Sequence, residues 1–323
     1  MAVIMVADSG TTNTRVRLWD GRRVIASASE PVGARNTAID GHNGRVKEAL
    51  RRLIEQLEGK SEVRPEAVVC SGMITSNVGL VEVPHLPAPA GISDLADHVV
   101  RIVFPDISPL PFYLIPGVKS LPEPISGETL PEADILRGEE VEVAGLRELL
   151  GISGPSLLMH FGSHHKAISV DAGGRILWSR TSITGELLMA IASNTILKSS
   201  MIDLGQLPYP DPEMVRAGIR HALEHGVGRC LFLGRVADVL WGRDRCDVTS
   251  FILGCLATLD LPLLAGARET GAQVVLYGKG HFPPILRDYL NAEGWENVHL
   301  VDVETADLSA VIGAVRVFER VAH

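Results

Sequence analysis

Long apolar runs are missing from this 323-residue chain. None approaches the roughly 18 consecutive apolar residues of a membrane helix. Residues 1–8 lead straight into a strand-like segment, so neither a membrane span nor a signal peptide is expected, and no membrane partner. Cysteine is scarce. Cys70, Cys230, Cys246 and Cys255 form no C-x-x-C pair and three lie in apolar contexts, the pattern of reduced, buried thiols in a cytoplasmic protein. Basic charge is in deficit: 30 Lys and Arg against 39 Asp and Glu leave a net charge of −9. A phosphate-backbone binder needs clustered cations, so nucleic acid is not expected as a partner, although a local basic cleft stays open. The 32 Gly and 19 Pro are spread out, without a Gly-X-Y period, a Pro tract or a low-complexity stretch. Both familiar nucleotide fingerprints, G-x-x-x-x-G-K-[ST] and G-x-G-x-x-G, are absent, which removes P-loop and Rossmann readings.

What is present is enough apolar material for a core: 46% hydrophobic residues against 21% charged. At about 150 residues per domain the length suggests two domains. Residues 3–7 form a short apolar run, 8–14 are turn chemistry, 15–19 alternate as a half-buried strand does, and Asp20-Gly21 is a hairpin signal before a third strand at 24–29. Helical spacing marks 46–57, buried strands are expected at 67–71 and 112–115 around a Pro-rich loop at 84–89, and 138–150 reads as a helix with Glu139 and Glu140 in its first turn. After Gly151 the opening pattern returns. An ungapped shift of 152 positions places Gly10 on Gly162, Thr11 on Ser163, Gly21 on Gly173, Arg23 on Arg175 and Ser27 on Ser179, with apolar strand positions coinciding alongside. Any two hairpins share alternation and Gly turns, but so many coincidences favour a duplicated three-strand unit.

The two turns are rich in Gly, Ser and Thr, which exposes backbone N–H groups and hydroxyls of the kind a phosphate chain requires. Taken singly, each is better read as an ordinary hairpin. As a pair they suggest a polyphosphate clamped between two domains. The copies differ where Asp8 faces His160, and a hard Mg²⁺ ion takes carboxylates and waters, so metal binding is expected on the Asp8 side. The spacing of His160, His164 and His165 matches no zinc template. A third turn, Tyr277-Gly278-Lys279-Gly280-His281, lies between a buried strand at 274–276 and a helix at 284–290; it suits a nucleotide's sugar or phosphate, or is a plain βα turn. Residues 221–225 carry no chemistry that the sequence reading resolves.

Asp8-Ser9-Gly10-Thr11-Thr12-Asn13-Thr14-Arg15 resembles the first phosphate loop of the hexokinase/actin/Hsp70 superfamily of ATP-binding folds. More specifically, the chain resembles the 2-dehydro-3-deoxygalactonokinase family. The matching stretches are Ser71-Gly72-Met73-Ile74-Thr75-Ser76-Asn77-Val78-Gly79 with Pro87-Ala88-Pro89-Ala90, then Ile115-Pro116-Gly117, Leu136-Arg137-Gly138-Glu139-Glu140, and Gly162-Ser163-His164-His165-Lys166 with Thr184-Gly185-Glu186-Leu187. The family usually carries Trp where Ser9 and Ala167 stand, and Pro-Gly-Thr-His where Phe161-Gly162-Ser163-His164 stands.

The resemblance implies an α/β fold of two duplicated ribonuclease H-like (actin/hexokinase-type) domains, with mixed sheets flanked by helices and an ATP cleft between them. The N-terminal domain would span 1–151 and the C-terminal domain 152–323, with the last helix free to pack back on the former. The implied activity belongs to galactonate catabolism: transfer of the γ-phosphoryl group of ATP to a hydroxyl of a 2-keto-3-deoxy sugar acid, with 2-dehydro-3-deoxy-D-galactonate going to its 6-phosphate. The implied cofactors are ATP and Mg²⁺, and the partners are the sugar acid and, as an open assembly, a second copy in a homodimer. Hexokinase-type enzymes place a carboxylate at the start of a helix some 20 residues before the second phosphate loop, and Arg137-Gly138-Glu139-Glu140 stands there, Glu140 being 22 positions before Gly162. That implies Glu139 as general base, with Glu140 its competitor, and Arg137 against the charge of the transferring group or the substrate carboxylate. Asp8 would hold Mg²⁺. Gly10, Thr11, Thr12, Gly162, Ser163, His164, Lys166, Gly278 and Gly280 would bind ATP, and Ser76, Asn77, Val78 and Gly79 the sugar acid. A phosphohydrolase of exopolyphosphatase type and a non-catalytic ATP or sugar-acid sensor are the competing readings on the same fold.

Overall fold

The computed structural model describes residues 2–60, 62–264, 267 and 271–321. Contacts group the chain into two units, Met1–Ser153 with Val170–Ser179 and Glu304–His323, and Gly154–Ser169 with Arg180–Val303. The chain therefore crosses between units more than once, whereas the boundary drawn at 151/152 crosses once.

The first unit is built on a six-stranded sheet. Strands β1 (Ile4–Ser9), β2 (Thr14–Trp19) and β3 (Val24–Glu30) form an antiparallel meander, with β4 (Ala67–Gly72), β5 (Leu86–Pro87), β6 (Val100–Phe104), β7 (Ser108–Leu114), β8 (Val118–Ser120) and β9 (Asp134–Leu136) following in the chain. The sheet order is β3-β2-β1-β4-β7-β6, with β4 parallel to both β1 and β7, while β5, β8 and β9 make a separate small sheet. The helices are α1 (Ala34–Asp40), α2 (Gly44–Gly59), α3 (Ile92–Asp97) and α4 (Glu139–Leu149). Helix α2 turns Val46, Leu50, Leu53, Ile54 and Leu57 onto the sheet, where they meet Met5, Val16, Leu18, Val68 and Phe112 in one core. Their recurrence at three- and four-residue steps is the signal that marked 46–57 as a helix. The C-terminal helix Val303–Val321 lies against α4 in the same unit. A Cβ on Gly145 or Gly313 would collide with the backbone of Ser309 or Val141, so the two helices approach to backbone contact. An ion pair from Arg316 to Glu148 (2.6 Å) closes the outer edge.

The second unit repeats the first unit's plan. Strands β10 (Ser156–Phe161), β11 (His165–Val170), β12 (Ile176–Ser182), β13 (Gln273–Gly278) and β14 (Val298–Leu300) run in the order β12-β11-β10-β13-β14, although Val170 and the Ile176–Ser179 part of β12 belong to the segment grouped with the first unit. Shifted by 152, β1 coincides with β10 and β3 with β12 at both ends, and β2 differs from β11 by one residue. The helices are α5 (Thr184–Asn194), α6 (Pro212–His225), α7 (Val227–Val239), α8 (Arg245–Ala257) and Phe282–Ala292. Pro283 and Pro284 sit in the first turn of the last of these, where a missing N–H leaves no bond unmade, so the helix opens two residues before the expected position 284. The bundle α6–α8 has no counterpart in the sequence reading. Its start signals are present: Asp211 accepts from the Met214 N–H and Asp244 from the Asp247 N–H. Helix α8 is buried on every side from Val248 to Ala257, so it lacks the one-sided periodicity that reveals a surface helix. No helix among the described residues is long and apolar enough to cross a membrane.

Candidate active site

In the first unit β1 is wholly apolar until it emerges at Asp8. Ser9, where the family usually has Trp, is buried and donates to Thr14 Oγ1 (3.0 Å), which in turn donates to the Val32 carbonyl (2.7 Å). These bonds pin the two ends of an exposed turn, Gly10 to Asn13, which the Gly10 N–H closes onto Asn13 O (2.9 Å). The start of α1 lies directly behind the turn: Ala34 and Arg35 N–H groups donate to the carbonyls of Gly10 (3.1 Å) and Thr11 (2.9 Å). Gly33 permits this, because a Cβ there would stand 2.6 Å from Gly10 O. The loop's carbonyls are thus turned onto a helix N-terminus, and Thr11 and Thr12 face solvent.

Asp8, Gly10 and Thr12 line a pocket of about 180 Å³ together with Arg15, Arg17, Glu142 and Asp307. Arg15 reaches Asp307 at 3.5 Å. Arg17 is 7% exposed, and its Nη1 has no hydrogen-bond partner among the described residues. Burial raises the Asp8 carboxyl above its ordinary range; Arg17 and Arg15 pull it down, and Glu139 and Asp307 push it further up. Asp8 therefore stands between two arginines and two carboxylates, Glu139 and Asp307. The donors are hard oxygens, which suits Mg²⁺.

The end of β4 and the start of α4 converge on Asp8. Gly72 has φ +78, and a Cβ on it would lie 2.9 Å from Asp8 Oδ1; Gly138, the N-cap of α4, has φ +113 and approaches the Gly72 Cα. Both positions need glycine for space and for backbone. The two carboxylates after Gly138 have different surroundings. Glu139 is half-buried and its Oε2 accepts from the Arg137 N–H (3.1 Å). Glu140 is 1% exposed and its Oε2 accepts from the Gly138 N–H (2.7 Å), while Oε1 has no partner among the described residues. Burial first, and the neighbouring Glu139 second, push the Glu140 carboxyl up to about 8. Glu140 is consequently neutral near pH 7 and closed off from solvent, which leaves Glu139 as the accessible carboxylate.

Arg137 was expected to face the transferring phosphoryl group or the substrate carboxylate. Its guanidinium instead donates to the carbonyl and hydroxyl of Thr75, to Val83 O (2.8 Å) and to His85 Nδ1 (3.1 Å). Four donor contacts to one loop make it a clamp on the segment that carries residues 76–79. Within that segment Ser76 Oγ donates to Met73 O (2.7 Å) and accepts from the Val78 N–H (3.3 Å), and Gly79 presses on the backbone of Met73 and Ile74. Asn77 is the exposed side chain of the four, and Val78 is half-buried.

In the second unit the Gly162-Ser163-His164 turn joins β10 to β11. Gly185 stands against the carbonyls of Gly162 and Ser163, and the Glu186 N–H donates to Ser163 O (2.9 Å). Gly33 and Gly185 are 152 positions apart, and so are the carbonyls they meet; the duplication therefore extends to the helix packed behind each loop. Gly278, with φ +125, packs on Phe161, and the Lys279 N–H donates to Phe161 O (3.3 Å), so the third turn adjoins the second loop. Gly280 is in open space with φ +91. His164 pairs with Glu186 at 3.5 Å, and Lys166 projects half-buried from β11. Behind the loop lies a buried network unread in the sequence: His165 Nδ1 meets Asp260 Oδ2 (2.6 Å) and Thr184 Oγ1 donates to Asp260 Oδ1 (2.8 Å). The His165 ring packs edge-on to Phe161 and Phe282.

Sequence reasoning also missed Arg17, Glu142 and Asp307 beside Asp8. Arg15 and Arg17 share one face of β2 by their two-residue spacing, and Arg15 is the register partner of Asp8, so that much was legible. Asp307 arrives from the far end of the chain without a local signal.

A family model described as 2-keto-3-deoxy-galactonokinase matches residues 8–313. A 2-dehydro-3-deoxygalactonokinase of Escherichia coli (strain K12) is 28% identical over 251 residues, covering 77% of this chain and 76% of that protein. Among solved structures, a candidate 2-dehydro-3-deoxygalactonokinase from Sinorhizobium meliloti has a TM-score of 0.77 at 23% identity, covering 98% of this chain and 99% of that one. The ADPNP-bound activator of the 2-hydroxyisocaproyl-CoA dehydratase from Clostridium difficile has a TM-score of 0.54 at 14% identity, covering 98% of this chain and 95% of that one. The structural likenesses establish the actin/hexokinase-type ATPase fold with mixed sheets flanked by helices. Since the family match runs over nearly the whole chain, from the carboxylate that ends β1 into the C-terminal helix, the chain belongs to the 2-keto-3-deoxy-galactonokinase family.

Proposed function

We propose that this sugar-acid kinase transfers the γ-phosphoryl group of ATP to the 6-hydroxyl of 2-dehydro-3-deoxy-D-galactonate. The observation that carries this reading is the pair of glycine loops at 10–13 and 162–164, each backed by a helix start that takes its carbonyls through Gly33 or Gly185. With the carbonyls so engaged, the solvent side of each loop is left to amides and hydroxyls, which suit phosphate oxygens. Gly10, Thr11 and Thr12 are assigned to ATP phosphate binding, as are Gly162, Ser163, His164 and Lys166, and Gly278 and Gly280 to the rest of the nucleotide. Asn77 and the backbone of Ser76, Val78 and Gly79 take the sugar acid, held in place by Arg137. Glu139 accepts the proton of the 6-hydroxyl as that oxygen bonds to the γ-phosphorus and the bond to the β-phosphate oxygen breaks, releasing ADP. Asp8 would hold Mg²⁺, which when bound supplies charge neutralisation for the phosphates. Four free thiols support a cytoplasmic setting. The family match runs against the phosphohydrolase reading, and no observation favours the sensor.

ADP release measured over a panel of 2-keto-3-deoxy acids tests the proposal. Turnover that depends on the galactonate-derived acid is expected. Phosphate release without any sugar acid, or binding of ATP and sugar acid without turnover, would overturn it. Glu139→Gln is expected to lower kcat by at least about a hundredfold with ATP affinity nearly intact, and near-parent turnover would remove Glu139 from the base role.

A further inference from the structure

On α6, remote in sequence from both glycine loops, His221, Glu224 and His225 bring one ligand atom each to within 4.8 Å of one another. The spacing explains the meeting. Residues four apart lie one above the other on a helix, so His221 and His225 share a face, with rings stacked at 5.7 Å and an interplanar angle of 13°. Glu224, one turn beyond His221 and next to His225, adds a carboxylate that already lies 3.6 Å from His225 Nε2. His221 Nδ1 is buried and has no hydrogen-bond partner among the described residues. A buried imidazole nitrogen ordinarily has a partner, since leaving it without one is unfavourable. The His221 ring lies near Phe251, whereas His225 and Glu224 are exposed. A tetrahedral ion with bonds near 2.1 Å needs donor atoms roughly 3.4 Å apart, not far from the separations of at most 4.8 Å found here.

We infer that His221, Glu224 and His225 form a binding site for a borderline divalent cation such as Zn²⁺, distinct from the Asp8 group. Two imidazoles and one carboxylate are the donors of zinc sites, whereas Mg²⁺ prefers oxygen alone. Three protein ligands leave a fourth position open.

The test is isothermal titration of ZnCl₂ into the full chain, freed of any histidine tag, without nucleotide, followed by the same titration in excess MgCl₂. One ion per chain is expected, unaffected by Mg²⁺, with affinity weakened by at least about tenfold in both His225→Gln and His221→Gln. His225 is exposed, so His225→Gln should keep the parent's melting temperature without zinc and lose the zinc-dependent rise. Equal affinity and stoichiometry in the parent and His225→Gln would overturn the site, as would no binding by the parent. Kinase turnover of His225→Gln without zinc should match the parent, so failure here is separable from failure of the kinase assignment.

Discussion

Glu140 offers a test of the electrostatics at the start of α4. Its carboxyl is pushed from 4.5 up to about 8, by burial first and by Glu139 second. In the unfolded chain the group ionises near its ordinary value, while the folded protein keeps the proton until about pH 8. Between those limits the folded state binds more protons, so this group's contribution is full below pH 4.5 and is lost as pH rises through 8. At 1.36 kcal/mol per pKa unit the loss between pH 5 and 8 is on the order of 4 kcal/mol. Glu140→Gln keeps an oxygen for the Gly138 N–H and cannot ionise. Urea unfolding of parent and variant at pH 5 and pH 8 isolates Glu140 with the groups coupled to it, chiefly Glu139, because uncoupled titrating groups cancel in the double difference. The variant should gain on the parent by about 3–4 kcal/mol across that range. Curves that stay parallel to within about 0.5 kcal/mol would refute a buried neutral Glu140, and with it the reason for preferring Glu139 as base.

Asp260→Ala leaves His165 and Thr184 without their shared acceptor in a region where both partners are buried, so calorimetry should show about 3–5 kcal/mol of destabilisation, with Asp260→Asn intermediate; unchanged melting would refute the network. Gly33→Ala and Gly185→Ala should each cost about 1–3 kcal/mol and raise KM for ATP, because the added carbon meets loop carbonyls. Gly10→Ala meets nothing within 4 Å and should leave stability nearly unchanged; equal losses at all three would sink the packing argument. Arg137→Lys forfeits the multi-pronged hold on Thr75, Val83 and His85, so KM for the sugar acid should rise with KM for ATP little changed. An effect on ATP alone would count against residues 76–79 as the sugar-acid loop.

Much of the fold was legible because its signals are local. Alternation and Gly turns marked the meanders β1–β3 and β10–β12, and the 152-residue offset exposed the repeat without any structure. Helix α8 was not legible from periodicity, because it is buried on every side, whereas α6 does bury one face through Met214, Val215, Ile219 and Ala222 and was overlooked. At the site, Asp8, Glu139 and the loops stood out by residue type and order. The contacts of Arg137 were not legible because sequence supplies an arginine's charge but not its partners, and here these include backbone carbonyls 54 and 62 positions away.

The sequence by itself determined the strand and turn plan, its duplication, and the family through ordered motifs, since each depends on neighbours along the chain. Only the tertiary structure decided which of two adjacent glutamates is shut away and neutral, that Arg137 clamps a loop, and that Asp307 joins Asp8 from the other end of the chain. These depend on desolvation and on contacts between distant segments, quantities that residue order alone does not carry. The acidic balance of −9 shows the same division: composition excludes a basic surface, but only the fold shows Arg15 and Arg17 set among the carboxylates around Asp8.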